Sequence, residues 1–237
     1  MGCRCVWTYL LCSVTMLTVL CFGCSQPSEN SVSGQSQEQE MVIKLPEPRQ
    51  DSDVSIEESL LSRRSIRSFT NEPLTLQEVS QLLWAAQGIT DSAGRRTAPS
   101  AGALYPLEVY IVAGNVRDLD PGVYHYEPDK HQLTKLMDGD IRAKLASAAL
   151  GQDSVRNGSI SCVITAVYER TTVKYGDRGV RYVHIEVGHA AQNLCLQAVA
   201  LDLGVVTVGA FDDEQVADVL SLPEDEQPLY IIPVGRK

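Results

Sequence analysis

The chain has 237 residues, 44% of them apolar, and a formal net charge of −10, enough for one substantial core and at most two small domains. A pI near 4.9 denies it a global basic surface, which excludes nucleic acid as the main partner while leaving room for a local cationic pocket. Five of the seven cysteines (Cys3, Cys5, Cys12, Cys21, Cys24) fall in the first 24 residues, a distribution that describes a leader and not a disulfide framework.

From Cys5 to Phe22 no residue is charged, Arg4 precedes the run, and Gly23-Cys24 leads into the polar Ser25-Gln26-Pro27. This reads as an export signal over residues 1–23. Its end, Leu20-Cys21-Phe22-Gly23-Cys24, resembles a bacterial lipoprotein cleavage box with Cys24 as the lipidated residue, although Cys21 stands where such boxes carry leucine. The expected location is therefore the cell envelope, anchored to the membrane by lipid. An apolar run of about 18 residues also suits an uncleaved membrane anchor, so both fates stay open. Met1-Gly2 is no myristoylation signal, because Val6 stands where Ser or Thr is needed. Residues 24–53 are rich in Ser, Gln, Glu and Pro and are expected to form a flexible tether. Only Met41–Pro46 interrupts that polarity, as a segment able to dock in extended form. The globular domain is expected over residues 54–237.

Ser55 and Glu58 form a capping-box pattern opening a helix of about three turns that ends near Arg64. The run Arg63-Arg64-Ser65-Ile66-Arg67-Ser68-Phe69 follows. Three arginines in an acidic chain suggest an anionic ligand, with guanidinium and hydroxyl groups suited to a phosphate. A solvated helix end, favoured by the macrodipole, is the competing reading.

Thr75 and Glu78 make a second capping box, and Leu76, Val79, Leu82, Leu83 and Ala86 predict a helix over 76–87 that stops at Gly88. Ile89 to Leu104 is a polar, small-residue loop able to approach a ligand closely. Leu107–Ala113 reads as a strand, and Gly122–Tyr126 with Gln132–Met137 as a hairpin turning at Asp129-Lys130. Asp140 is expected to cap a helix reaching Leu150. Ile160–Tyr168 is a strongly apolar strand. A long helix over Arg181–Leu203 carries Ile185, Ala190, Leu194, Cys195, Ala198 and Leu201 and ends at Gly204. Strand Val205–Val208, helix Asp213–Leu220 and strand Leu229–Val234 complete the chain. Hairpin strands mixed with long helices favour an α+β fold.

Several chemistries are excluded. No glycine-rich dinucleotide or triphosphate loop is present, so phosphate binding falls to side chains. Ser100 lacks a nucleophile elbow and reads as a loop hydroxyl. His184 and His189, five residues apart on a helix, point about 140° away from each other, which argues against a metal site. Cys162 and Cys195 lie on apolar elements as inert buried thiols.

The arginine run, the loop Arg96–Pro106, the helix segment Glu186–Asn193, Val208-Gly209-Ala210-Phe211 and the closing Pro233-Val234-Gly235-Arg236 occur in the order seen in a known family. Over residues 42–237 the chain resembles the nitroreductase-like flavoproteins, and within them the SagB-type dehydrogenase branch. The resemblance implies a central, mainly antiparallel sheet flanked by helices in an intertwined homodimer with FMN in two intersubunit clefts. It implies that Arg63, Arg64, Ser65 and Arg67 hold the FMN phosphate and ribityl chain, with Arg236 closing the phosphate site. The loop Pro99, Ser100, Ala101, Gly102 and Ala103 packs on the isoalloxazine from the partner subunit, and Val208 and Gly209 approach its reactive N5 edge. Gln192 and Asn193 sit on the interface helix, as ligand contacts or as structure. Lys174-Tyr175 resembles the Lys-Tyr pair associated with proton transfer, a solvated loop pair being the alternative. The implied activity is an FMN oxidoreductase that moves a hydride between flavin N5 and a small or peptidic substrate. The alternatives are an NAD(P)H-dependent nitro or quinone reductase and a membrane-tethered binding module without turnover.

Overall fold

The computed structural model describes residues 41–237; the export signal, Cys24 and the tether as far as residue 40 lie outside the described residues. In chain order the elements are β1 (Val42–Lys44), α1 (Ile56–Ser62), β2 (Leu74–Thr75), α2 (Leu76–Gln87), β3 (Leu107–Ala113), β4 (Val116–Arg117), β5 (Gly122–Glu127) and β6 (Gln132–Asp138). They continue with α3 (Arg142–Ala148), α4 (Asp153–Asn157), β7 (Ile160–Val167), α5 (Glu169–Tyr175), α6 (Arg178–Ala200), β8 (Leu203–Val205), α7 (Asp213–Leu220) and β9 (Glu226–Arg236).

Seven strands form one sheet in the order β1-β6-β5-β3-β7-β9-β8, and every ladder in it is antiparallel. Strand period then divides the core. Leu107, Val109, Ile111 and Ala113 of β3, with Ile160, Cys162, Ile164 and Ala166 of β7, face the side covered by α2 and α6. Tyr110, Val112 and Val163 face the other side, with Leu145 of α3 and Val216 and Leu220 of α7. Covering both faces explains why β7 is apolar along most of its length. The α+β, mainly antiparallel architecture agrees with the sequence expectation.

Local signals hold where they are strong. Thr75 Oγ1 accepts from the Glu78 N–H and the Glu78 carboxylate accepts from the Thr75 N–H, so the second capping box closes and α2 has the expected bounds. The first closes by half: Ser55 accepts from the Glu58 N–H at 3.0 Å, and α1 ends at Ser62 because Arg63 turns extended. Asp140 stands one residue before the N-cap Ile141, where its carboxylate accepts from the first N–H of α3, that of Arg142, at 3.1 Å and also grips the Arg142 guanidinium; α3 stops at Ala148 before Leu150 and Gly151, both at positive φ.

The domain also starts earlier than expected. Val42–Lys44 pairs with β6, Leu45 is buried, and the Arg49 backbone exchanges hydrogen bonds with Gln81. Residues 42–53 thus lie on the domain, and the docked form of Met41–Pro46 is the one seen. Among the described residues no helix is long and apolar enough to cross a membrane.

Candidate active site

The arginine run leaves α1 as extended backbone. The Ile66 N–H donates to Val205 O and the Thr70 N–H to Arg236 O, both at 2.9 Å, which lays the run along β8 and the end of β9. Ile66 and Phe69 turn inward over two glycines. A Cβ at Gly235 would stand 2.8 Å from the Phe69 ring, and one at Gly204 would stand 2.9 Å from Ile66 Cγ2. Only glycine allows that approach. Ser65, Arg67 and Ser68 consequently point outward and are exposed, while Arg63 is half-buried.

Arg64 donates to the backbone carbonyls of Leu61 and Arg63. Among the described residues no carboxylate pairs with Arg63, Arg64 or Arg67. In a chain with 30 acidic residues, three guanidinium groups left unpaired beside two exposed hydroxyls form a donor set that fits a phosphate.

Two expected contacts are already taken within the chain. Arg236 is held by Glu78 through two parallel bonds, Nη1 to Oε1 and Nη2 to Oε2, both 2.9 Å. It pins the end of β9 to the start of α2 and so is not free in the way Arg67 is. The Val208 N–H donates to Ile231 O at 2.8 Å and its carbonyl accepts from the Ile231 N–H at 3.0 Å, which completes its backbone. Gly209 is exposed, and among the described residues no hydrogen bond reaches its backbone.

The small-residue loop is braced from below. The Thr97 hydroxyl donates to Trp84 O and the Asn193 amide to Thr97 O, which gives Asn193 a structural task, while Gln192 is exposed. The Arg96 guanidinium lies 4.6 Å from the Tyr105 ring centre and donates to Gln87 Oε1. Ser100 Oγ accepts from the Tyr105 N–H at 2.9 Å, as a loop hydroxyl would. Ala101–Ala103 make one tight turn with Gly102 at φ +66.

Lys174 and Tyr175 come to this turn. A Cβ built on Gly102 would lie 2.8 Å from Lys174 Nζ and 2.8 Å from Tyr175 Oη. The two polar ends therefore converge on one backbone position, where the glycine leaves them room. They stand on the last turn of α5, a helix and not the loop weighed as the alternative, closed by Gly176 at positive φ. Tyr175 is wedged edge-on against Tyr182 of α6, with ring centres 5.1 Å apart.

α5 is tied to the sheet by charge. Arg170 reaches Glu108 of β3 at 2.6 Å and donates to Tyr105 O, and His125 of β5 lies 2.9 Å from the other Glu108 oxygen. Burial pushes the Glu108 carboxyl up, but its bonds to His125 and Arg170 win and hold it below the usual range. Tyr110 and Thr165 donate to the buried Glu226 nearby, whose carboxyl burial pushes up.

Glu186 is the residue that sequence reasoning missed. It is 2% exposed and its Oε1 has no hydrogen-bond partner among the described residues. Burial pushes its carboxyl up to about 7, against a lowering contribution from Ser100 and Arg96. The signal was present: Val183, Glu186 and Ala190 are spaced i, i+3, i+7 on one helical stripe. Ile185, assigned to the apolar face from the sequence, is 50% exposed instead. Cys162 and Cys195 are buried thiols pushed up to about 12 and about 11 by burial, inert as expected. The His184 ring bonds the Tyr168 hydroxyl at 2.6 Å, while His189 borders the Glu186 cavity.

Residues 60–236 match the model of the nitroreductase family. The chain belongs to the nitroreductase family. Members of this family are oxidoreductases that generally bind FMN. The chain is 47% identical over 197 residues to the protein named "Putative nitroreductase MJ1384" from Methanocaldococcus jannaschii, covering 83% of this chain and 97% of that one. It is 30% identical over 158 residues to the microcin B17-processing protein McbC of Escherichia coli, covering 64% of this chain but only 58% of McbC. The solved E. coli microcin synthetase McbBCD complex with truncated pro-MccB17 bound contains a chain with 27% identity and a TM-score of 0.65, covering 91% of this chain and 84% of that one.

Proposed function

We propose that the protein is an FMN-dependent oxidoreductase of the SagB-type dehydrogenase branch, moving a hydride between flavin N5 and a small or peptidic substrate. One observation carries this reading: Lys174 Nζ and Tyr175 Oη converge on Gly102, in the loop expected against the isoalloxazine. When bound, FMN supplies the hydride chemistry at N5, and the protein supplies position and proton handling. Arg63, Arg64, Ser65 and Arg67 hold the phosphate and ribityl chain. Pro99–Ala103 of a partner subunit flank the ring, with Gly209 and Val208 toward its reactive edge. A substrate that gives up a hydride also gives up a proton, and Lys174 Nζ as the free amine, or Tyr175 Oη as the phenolate, is the group placed to accept it.

The exposed Ile56, Leu60 and Leu61 of α1 and Val173, Val180 and Ile185 of α5 and α6 suit burial in a homodimer. Cys24, lipidated after export, anchors the dimer to the membrane in this proposal, with residues 25–40 as its tether. The likeness to a protein named as a nitroreductase favours a second reading, reduction of nitro or quinone compounds by NAD(P)H.

Purified residues 25–237 are expected to show the two visible bands of a flavin, and a colourless protein that refuses added FMN would sink both redox readings. Anaerobic mixing with NADH and NADPH separates them, since bleaching by either supports the reductase. Arg67→Ala is expected to weaken FMN binding by roughly tenfold to a hundredfold, the loss of one charge-assisted contact. The melting temperature of the flavin-free protein should barely move, because Arg67 bonds nothing among the described residues. Fluorescence titration with FMN reads the first effect and circular dichroism the second.

A further inference from the structure

The chain enters the domain through residues 41–49, and this strap is fastened at one histidine. His131 sits in the turn between β5 and β6 at φ +46, its ring enclosed by the strap, α2 and β5. Nε2 lies 3.0 Å from Pro46 O and 2.8 Å from Ser80 Oγ, while Nδ1 lies 2.9 Å from Tyr126 Oη. The His131 carbonyl accepts from the Leu45 N–H, so ring and backbone both hold the strap. Ser80 and Tyr126 are fully buried.

The hydrogens of this cluster fit in one arrangement. The Ser80 hydroxyl donates to Pro46 O, which leaves Nε2 facing two oxygens with no hydrogen to receive, so Nε2 carries one. The Tyr126 hydroxyl then donates to Nδ1, and the ring is neutral. A second proton, on Nδ1, would have to donate to Tyr126 Oη and turn the phenol hydrogen away, and among the described residues nothing else bonds that hydroxyl. A buried donor without an acceptor disfavours the charged form, as does taking an imidazolium out of water.

We propose that His131 is a proton-operated latch: its neutral ring holds residues 41–49 on the domain, and its protonated ring lets them go. The latch is independent of the oxidoreductase reading. On release β1 leaves β6, Leu45 leaves the core, and the folded domain begins nearer α1. Acid is the trigger. Burial pushes the docked ring below its ordinary 6.5, against the Pro46 bond and the Glu47 carboxylate, which favour the charged ring, with Lys44 adding to the lowering. The turn adds Asp129 and Lys130, both exposed, and α2 and β5 face the ring with Ser80 and with Tyr126, whose phenol burial keeps protonated. A released ring returns toward 6.5, so docking is firm above that pH and weakens as pH falls below it.

Hydrogen-exchange mass spectrometry on the full chain, with protection corrected for the intrinsic rate at each pH, reads the latch in a peptide over residues 42–50 and the core in one over β7. From pH 7.5 to pH 5.5 the strap's protection should fall by at least about threefold, with about tenfold the ceiling for one ordinary histidine, while β7 is unchanged. His131→Asn keeps the positive φ, which asparagine tolerates, and should leave the strap weakly protected and indifferent to pH, with β7 protection showing that the variant is folded. A second measurement needs no variant. The His131 ring, identified in the wild-type NMR spectrum by its edge-on contact with the Tyr126 ring at 5.8 Å between centres, should titrate below 6.5. A strap indifferent to pH in wild type, strap and β7 losing protection together, a full response in His131→Asn, or a His131 ring titrating at or above 6.5 would each overturn the latch.

Discussion

Lys174→Ala and Tyr175→Phe are each expected to lower turnover by roughly a hundredfold or more, the usual worth of a positioned proton carrier, while flavin content stays at the wild-type level. Neither side chain belongs to the arginine segment, so cofactor affinity has no reason to move. The two variants should not be additive, because both polar ends meet at Gly102 and removal of either dismantles the same relay. Gly102→Ala supplies a third arm: its methyl group would come within 2.8 Å of both Lys174 Nζ and Tyr175 Oη, at a φ of +66 that alanine adopts at a cost. It should slow turnover without removing either functional group. Rapid mixing of pre-reduced or oxidised enzyme with substrate separates the proton step from cofactor loading. Wild-type activity in both Lys174→Ala and Tyr175→Phe would remove the proton-transfer assignment.

That pair also shows where the sequence could and could not be read. α2, β3, the β5-β6 hairpin and α7 were legible because their signals are local: a reciprocal cap, strand alternation, a turn pair, and an Asp212 that caps the Gln215 N–H. α5 was not, since Thr171-Thr172-Val173 carries β-branched residues that lower helix propensity. Its helical form rests on tertiary contacts, Arg170 to Glu108 and the backbone of Thr172 against Gly179. The end of α6 was misread for a related reason. Leu201 and Leu203 continue an apolar pattern, but Asp202 at φ 58 breaks the helix and Leu203–Val205 turns into an edge strand. Gly204 accordingly serves as the floor under Ile66 and not as a helix stop. The arginine run was legible as chemistry, a cluster of cations in an acidic chain. Its geometry, set by two glycines more than 130 residues away in sequence, was not. Arg236 drew the same reading as the run, and nothing local distinguishes a guanidinium that waits for a phosphate from one already bound to a carboxylate.

Arg236→Ala and Glu78→Ala separate those two roles. Glu78 closes the cap of α2 through Thr75 and binds Arg236 by two parallel bonds, with only 15% of its side chain exposed. Its loss leaves the Thr75 hydroxyl on the residue-78 N–H but removes the return bond, about 1 kcal/mol, and breaks an ion pair whose remaining partner stays partly buried, so roughly 2 to 4 kcal/mol of stability should go. At about 2 to 4 °C per kcal/mol for a domain of this size, calorimetry would resolve the drop easily. Glu78→Gln keeps the capping geometry and should recover about half of it. Arg236→Ala leaves the cap intact and should fall between the two. The Thr70 N–H bonds Arg236 O and not its side chain, so the arginine segment stays attached in every variant and FMN affinity should change less than threefold. The opposite pattern, an unchanged melting temperature with FMN affinity down tenfold in Arg236→Ala, would mean that the guanidinium leaves Glu78 for the phosphate when the flavin arrives. In that case Glu78 would act as the counter-ion that holds the arginine in waiting, and Glu78→Gln would tighten FMN by releasing it.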